Sequence, residues 1–123
     1  MTSCLIVDDS RVIRKVARQI FAGLGFACEE AEDGGQAMEI CKKKLPGFIL
    51  LDWNMPVING LDFLRALRTQ PAARRTRVIF CTVENDLAHI QEALAAGADE
   101  YIMKPFDTDI VKGRLAQLDL IEG

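Results

Sequence analysis

The sequence predicts an α/β fold in which five strands form one parallel sheet with helices on both faces. Two observations lead to this prediction. Short apolar runs of strand length recur five times, and an amphipathic segment of helical length separates each run from the next. Such alternation is typical of a three-layer sandwich. The runs cover residues 4–7, 26–28, 48–51, 78–81 and 101–103.

Three of the five runs, those that begin at Cys4, Phe48 and Val78, are almost continuously apolar. A strand that is covered by helices on both faces has no solvent side, so it lacks the usual alternation of apolar and polar residues. We therefore predict that these three runs are central strands.

The first helix has the clearest pattern. Ser10 is placed to cap its N-terminus. Apolar residues at helical spacing predict one face towards the core, and basic residues occupy the opposite face. The apolar set is Val12, Ile13, Val16, Ala17, Ile20, Phe21 and Leu24, and the basic set is Arg11, Arg14, Lys15 and Arg18.

The other four helices follow from shorter patterns. The second is predicted over residues 35–44, before a Leu-Pro-Gly breaker, and the third over about 61–68. Asp86 can cap the fourth, Gly97 suits its left-handed end, and the fifth follows Asp107. The apolar positions are Ala37, Met38 and Cys41 in the second helix, Leu87, Ile90 and Leu94 in the fourth, and Ile110, Val111, Leu115 and Leu118 in the fifth.

Composition limits the class of protein. Half of the 123 residues are hydrophobic, so we expect one domain over residues 1–123, with no output domain. The formal net charge of -3 argues against a nucleic-acid surface. The longest apolar stretches are strand-sized, which argues against a membrane role. Four cysteines without a Cys-x-x-Cys pair predict reduced thiols in a cytoplasmic protein.

Side chains capable of chemistry stand where four of the apolar runs end. Asp8 and Asp9 follow the first run, Asp52 the third, Thr82 the fourth and Lys104 the fifth. The carboxyl ends of parallel strands share one edge, and ligands bind there where the strand order reverses. We therefore expect these five side chains to form one site.

Three carboxylates at one site repel each other, by about 4 kcal/mol per pair at 4 Å in an environment of intermediate dielectric. A hard divalent cation such as Mg²⁺, or Mn²⁺ in its place, prefers oxygen ligands and would offset this repulsion. Lys104 adds a positive charge and Thr82 a hydroxyl donor. Metal, ammonium and hydroxyl around a carboxylate are what phosphoryl transfer requires.

Four motifs carry a resemblance that covers the whole chain. They are Val7-Asp8-Asp9-Ser10, Leu51-Asp52-Trp53-Asn54-Met55-Pro56 with Gly60, Cys81-Thr82, and Lys104-Pro105-Phe106. Together they resemble the receiver domain of bacterial two-component response regulators. The resemblance implies a flavodoxin-like (βα)5 fold with the strand order 2-1-3-4-5.

The resemblance also implies roles for the site residues. Asp52 would be the phosphoryl acceptor, Asp9 a direct metal ligand and Asp8 a ligand acting mainly through a metal-bound water. Asn54 would offer its backbone carbonyl to the metal. Thr82 and Lys104 would bind the phosphoryl group.

Further positions in the motifs concern switching. Thr82 and Tyr101 match the residues that move together when a receiver is activated. Asn54 and Glu84 match positions that tune the lifetime of the phosphoryl group, and Pro105 implies a cis peptide bond with Lys104.

The function implied by the resemblance is that of a signalling switch. A histidine kinase or a phosphotransfer protein would donate the phosphoryl group to Asp52 in a Mg²⁺-dependent reaction. The surface of the fourth helix, fifth strand and fifth helix would then bind a protein target, in chemotaxis or in a phosphorelay. We expect a monomer that can dimerise weakly on activation and that catalyses its own phosphorylation and slow dephosphorylation.

Two other functions remain open from the residues. A phosphatase of the haloacid-dehalogenase kind also places a nucleophilic Asp after a parallel strand, but it usually has a second Asp at the position of Asn54. A binding module that does not use phosphorylation is the other alternative. The sequence does not decide whether Trp53 packs outside the sheet or shapes access to the site, and His89 is expected to be a solvated helix residue.

Overall fold

A computed structural model describes residues 2–53, 55–83 and 87–122. Strands and helices alternate throughout these residues. The strands are β1 (Ser3–Val7), β2 (Ala27–Ala31), β3 (Phe48–Asp52), β4 (Arg77–Val83) and β5 (Glu100–Lys104). The helices are α1 (Arg11–Gly23), α2 (Gly34–Lys43), α3 (Gly60–Arg68), α4 (Leu87–Ala95) and α5 (Thr108–Gln117), with a short 3-10 turn at Pro71–Ala73.

The five strands form one parallel sheet in the order β2-β1-β3-β4-β5, which confirms the predicted fold class and strand order. The chain leaves β1 towards one edge of the sheet and leaves β3 towards the other. The carboxyl ends of these two neighbouring strands therefore flank the crevice in which ligands bind in such folds.

Two apolar clusters fill the spaces on either side of the sheet. One lies under α2, α3 and α4, and the other lies under α1 and α5. In the second cluster the ring of Phe48 meets the edges of Phe21 and Phe26, at centroid distances of 5.1 and 4.9 Å. Every residue of β3 is buried, as predicted for a central strand.

The second strand differs from its prediction. The apolar run 26–28 predicted it, whereas β2 covers Ala27–Ala31 and includes Glu29 and Glu30. As an edge strand, β2 pairs only with β1, so alternate side chains reach solvent and carboxylates are tolerated. Glu30 binds two arginines of α1, Arg14 and Arg18.

The helix α1 is capped by Ser10, whose hydroxyl accepts from the Ile13 amide at 3.3 Å. Its faces only partly match the prediction. Val12 and Val16 are 69% and 37% exposed, because the contact with the sheet is narrower than the apolar set. The predicted solvent face is also interrupted, since the Arg14 side chain is only 11% exposed.

The last two helices also show a narrower buried face than predicted. In α4, Ile90 is buried, but Leu87 and Leu94 are 70% and 42% exposed. Ile110 of α5 is 43% exposed, and Gly97 has the predicted left-handed backbone, with φ of 114°. The predicted cap Asp86 lies outside the described residues. None of the helices in the described ranges is long and apolar enough to cross a membrane.

Candidate functional site

An acidic cluster lies at the carboxyl edge of the sheet. One carboxylate oxygen from each of Asp8, Asp9 and Asp52 lies within 4.8 Å of the others. Asp52 is the last residue of β3, and Asp8 and Asp9 directly follow β1, its neighbour in the sheet. Asp8 and Asp52 are 2% and 6% exposed, whereas Asp9 is exposed. The structure therefore brings together the three carboxylates that the sequence predicts.

Lys104 joins this cluster from the end of β5. Its Nζ lies 2.8 Å from Asp8 Oδ2 and 3.0 Å from Asp52 Oδ1. The peptide bond between Lys104 and Pro105 is cis, as the sequence predicts. One ammonium thus bridges two buried carboxylates.

Among the described residues, the negative charge of the acidic cluster exceeds the positive charge of Lys104. With all three carboxylates ionised, the cluster and Lys104 carry a net charge of -2. Burial, followed by the charge of Asp8, raises the pKa of Asp52, and Lys104 opposes that rise. Burial alone would lower the pKa of Lys104, but its hydrogen bonds to Asp8 and Asp52 outweigh burial and raise it.

The donor set fits a hard divalent cation. Three carboxylates offer oxygen ligands on one edge, and a charge of +2 would neutralise the cluster together with Lys104. The nearby thiol of Cys81 is a poor ligand for a softer metal. Burial raises the pKa of this thiol to about 12 and keeps it protonated.

Main-chain contacts hold the loop that carries Asp8 and Asp9. The Asp8 amide donates to the Ala31 carbonyl at 3.1 Å, and Asp8 Oδ1 accepts from the Ser10 amide at 2.9 Å. Arg14 donates to the Asp8 carbonyl at 2.8 Å. Sequence reasoning missed this positioning role of Arg14, because its other partner, Glu30, lies 16 residues away on β2.

Close packing of glycines shapes the loop between β3 and α3. A Cβ atom on Gly60 would fall inside contact distance of the Asp52 carbonyl oxygen, and one on Gly34 would collide with the backbone of Ile58. The Gly60 amide donates to the Trp53 carbonyl at 3.0 Å. A residue without a side chain at position 60 therefore lets the loop fold tightly beneath Asp52.

Trp53 connects this loop to α4. Its ring stacks on the His89 ring at a centroid distance of 4.0 Å and meets the Phe80 ring edge-on at 5.4 Å. The side chain is half-buried, and it packs between Phe80 of β4 and His89 in the first turn of α4. The expectation that His89 is a solvated helix residue holds only in part, because His89 lies on α4 but is half-buried against the Trp53 ring.

The remaining predicted residues occupy β4 and β5. Thr82 is 3% exposed and stands one position beyond Cys81, the register partner of Asp52. Tyr101 is half-buried in β5, with the Arg114 guanidinium 5.2 Å from its ring centroid. Asn54 was predicted to bind the metal through its backbone carbonyl, and Asn54 and Glu84 were predicted to tune the lifetime of the phosphoryl group. Both residues lie outside the described residues.

Comparison with known protein families identifies the family of this chain. The family profile described as the response regulator receiver domain matches residues 4–116. The chain belongs to this family. Membership places it among the signalling switches of bacterial two-component systems.

The receiver is similar to chemotaxis regulators in sequence and in structure. It is 34% identical over 115 residues to chemotaxis protein CheY of Pseudomonas aeruginosa, and the match covers 93% of each chain. The structure of chemotaxis response regulator CheY4 of Vibrio cholerae superposes with a TM-score of 0.90 at 32% identity, covering 96% of this chain and 98% of that one.

A third similar protein contains a metal. The receiver domain of sensor histidine kinase PA1611 from Pseudomonas aeruginosa has a magnesium ion coordinated in its active site cleft. It superposes on the receiver with a TM-score of 0.86 at 28% identity, covering 94% of this chain and 95% of that one.

Proposed function

We propose that this receiver accepts a phosphoryl group on Asp52 from a phosphohistidine of a histidine kinase or phosphotransfer protein, in a reaction that needs a divalent cation. One observation carries the proposal. The buried carboxylate of Asp52 ends the central strand, and both Lys104 Nζ, at 3.0 Å, and the carboxylates of Asp8 and Asp9 converge on it. The family match supports the same reading.

Asp52 has the properties of a nucleophile for phosphoryl transfer. Burial and Asp8 raise its pKa, so the ionised carboxylate is more basic than an exposed one. Attack of a carboxylate oxygen on phosphorus forms an acyl phosphate, the P–N bond of the donor breaks, and the imidazole leaves as a neutral group after gaining a proton. Water later hydrolyses the acyl phosphate slowly.

The residues that would hold the cation are Asp9 directly, Asp8 mainly through a water molecule, Asp52, and the backbone carbonyl of Asn54. When bound, Mg²⁺ or Mn²⁺ supplies positive charge that balances the carboxylates and the phosphoryl oxygens. The charge of -2 on the cluster and Lys104 supports this assignment, as does the magnesium in the PA1611 receiver domain.

Lys104 and Thr82 would stabilise the phosphoryl group once it is on Asp52. The Lys104 ammonium exchanges a carboxylate oxygen for a phosphoryl oxygen, and the Thr82 hydroxyl donates to another. Asn54 and Glu84 would tune how long the phosphoryl group persists.

The output would follow from a shift between two conformations. The phosphoryl group favours the state in which Thr82 and Lys104 bind it, and Tyr101 moves inward as Thr82 leaves its place. The face formed by α4, β5 and α5 is suited to reading this shift, because it carries exposed apolar side chains that a protein target can cover. They are Leu87, Leu94, Met103 and Ile110, with Val83 at the end of β4.

Intact-mass spectrometry tests the proposal. After incubation with acetyl phosphate and Mg²⁺, the protein should gain one phosphoryl group, and Asp52→Asn should gain none. Asp119→Asn is the matched control, because Asp119 is an exposed aspartate that lies just after the C-terminal end of α5. An adduct of equal yield in Asp52→Asn would overturn the assignment.

The same preparation distinguishes a receiver from a phosphatase. A receiver should turn over each phosphoryl group once and slowly, whereas a phosphatase should hydrolyse a generic phosphate ester through many turnovers. Rapid multiple turnover that depends on Asp52 would favour the phosphatase alternative.

A further inference from the structure

Two cysteines face each other across the edge of the sheet, away from the acidic cluster. Cys4 on β1 and Cys28 on β2 are direct register partners, and their Sγ atoms lie 3.3 Å apart. Neighbouring strands run about 4.8 Å apart, within the Cα separation of roughly 4.4 to 6.8 Å that disulfides bridge. Both side chains belong to the apolar cluster under α1 and α5, so they lie on the same face of the sheet.

The other two cysteines do not share this arrangement. Cys41 lies in the opposite cluster, and burial followed by the charge of Glu29 raises its pKa to about 11. Cys81 is 1% exposed beside the acidic cluster. Within residues 2–53, 55–83 and 87–122, the contact between Cys4 and Cys28 is the one sulfur–sulfur contact.

The two partners differ in access. Cys4 is 1% exposed, whereas Cys28 is half-buried on the edge strand. A dissolved reagent therefore meets Cys28 first, and Cys4 stands behind it within reach of the same sulfur.

We propose that Cys4 and Cys28 form a redox-active dithiol, which low-molecular-weight disulfides such as oxidised glutathione convert into an intramolecular disulfide. The site is independent of phosphorylation on Asp52.

The reaction proceeds by two thiol–disulfide exchanges. The Cys28 thiolate attacks one sulfur of glutathione disulfide, the glutathione S–S bond breaks, and one glutathione thiolate leaves. The Cys4 thiolate then attacks Cys28 Sγ, and the second glutathione leaves. The two protons lost by the protein thiols end on the two released glutathione molecules, so the protein is oxidised by two electrons and glutathione disulfide is reduced.

Proximity favours the second exchange, whereas the raised pKa of Cys4 slows it. Burial, followed by the hydrogen bond and charge of Cys28, raises the pKa of Cys4. A glutathionyl group on Cys28 removes the contributions of the Cys28 thiol but not that of burial, so the second exchange should become faster as the pH rises. The Cys4 sulfur then needs to move only about 1.3 Å to reach the usual S–S bond length.

The disulfide would fasten the edge strand to the sheet. It joins β2 to β1 and closes a loop that contains α1. Because a cross-link restricts the unfolded chain, the oxidised protein should unfold at a higher temperature than the reduced protein.

The test exposes the full chain to oxidised glutathione at neutral pH and measures intact mass. We expect the loss of two hydrogen masses, reversed by dithiothreitol. Trypsin leaves Cys28 and Cys41 on one peptide, residues 19–42, so the cross-link is mapped in Cys41→Ser, where it should join residues 1–11 to residues 19–42.

Cys41→Ser also serves as the matched control, since it should still lose two hydrogen masses. Cys28→Ser should not, and its folding is checked by circular dichroism. A lasting glutathionyl adduct without a cross-link, a cross-link that involves Cys81, or no change under conditions that oxidise a reference dithiol protein would overturn the proposal.

Discussion

The indole of Trp53 stacks on the imidazole of His89, with ring centroids 4.0 Å apart and 23° between the ring planes. This contact joins the residue that follows the proposed acceptor aspartate to the first turns of α4, which belongs to the proposed output face. Because Trp53 is the one tryptophan in the chain, its fluorescence reports on this junction alone.

Loss of the stack should weaken the fold and expose the indole. We expect His89→Ala to reduce the free energy of unfolding by about 0.5–1.5 kcal/mol, the usual contribution of an aromatic pair. Urea denaturation and the emission maximum, which should move to longer wavelength, measure the effect. Gln91→Ala, an exposed change on the same helix, is the control, and an unchanged emission maximum in His89→Ala would contradict the assigned contact.

Binding of a divalent cation should be visible through Trp53. We expect a saturable change in fluorescence on titration with Mg²⁺. The affinity for Mg²⁺ should fall by roughly tenfold or more in Asp9→Asn, because the charge of one ligand is lost. Asp9 is exposed, so this variant should fold normally. Asp62→Asn changes an exposed residue of α3, and this variant should bind Mg²⁺ with the affinity of the original protein. Equal affinity in Asp9→Asn would remove Asp9 from the metal site.

Replacement of Lys104 should leave two buried carboxylates facing each other. In EDTA, we expect Lys104→Met to lose about 2–4 kcal/mol of stability, in line with the removal of one partner from a mostly buried ion pair. The Lys104 side chain is 20% exposed, which limits the loss of stability. Mg²⁺ should stabilise this variant more than the original protein, because the cation replaces the missing charge. Lys112→Met, on exposed helix, should show neither effect.

The pH dependence of stability should carry the signature of Asp52. Burial and Asp8 raise its pKa in the folded state, so ionisation costs stability as the pH rises through that folded-state value. Without metal, Asp52→Asn should therefore be more stable than the original protein at neutral pH. The gap should start to close as the pH falls through the raised folded-state pKa of Asp52, and it should vanish below the ordinary pKa of an unfolded aspartate, where Asp52 is neutral in both states.

Thermal unfolding in EDTA at several pH values measures this gap. Asp119→Asn, an exposed change, should show no comparable gap. A gap that stays constant with pH, or one in which Asp52→Asn is the less stable protein, would be inconsistent with a raised pKa at Asp52.

Much of the site could be predicted because strand ends are local features. Asp8, Asp52 and Lys104 each follow or end an apolar run, and parallel strands bring such ends to one edge whatever the details of packing. The contact of Lys104 with both carboxylates then follows from charge. The roles of Asp52, Thr82 and Lys104 in phosphoryl transfer stay predictions, and Asn54 and Glu84 lie outside the described ranges.

Helix faces were predicted less well. Val12 and Leu87 have the spacing of buried residues, yet both are largely exposed. Periodicity identifies a helix and its apolar side, but the width of the buried stripe depends on how closely the helix approaches the sheet. That approach is set by residues from several elements, and no local window contains them.

The sequence by itself determined the alternation of strands and helices and the edge at which the acidic residues meet, because both depend on short-range pattern and on the geometry of parallel strands. The tertiary structure alone decided the partners of long polar side chains and of neighbouring thiols. Arg68 shows why: its guanidinium donates to the carbonyls of Gly97, Ala73 and Thr76 and to the carboxylate of Asp99. Such contacts arise only when distant segments are packed together, and the pairing of Cys4 with Cys28 across two strands is of the same kind.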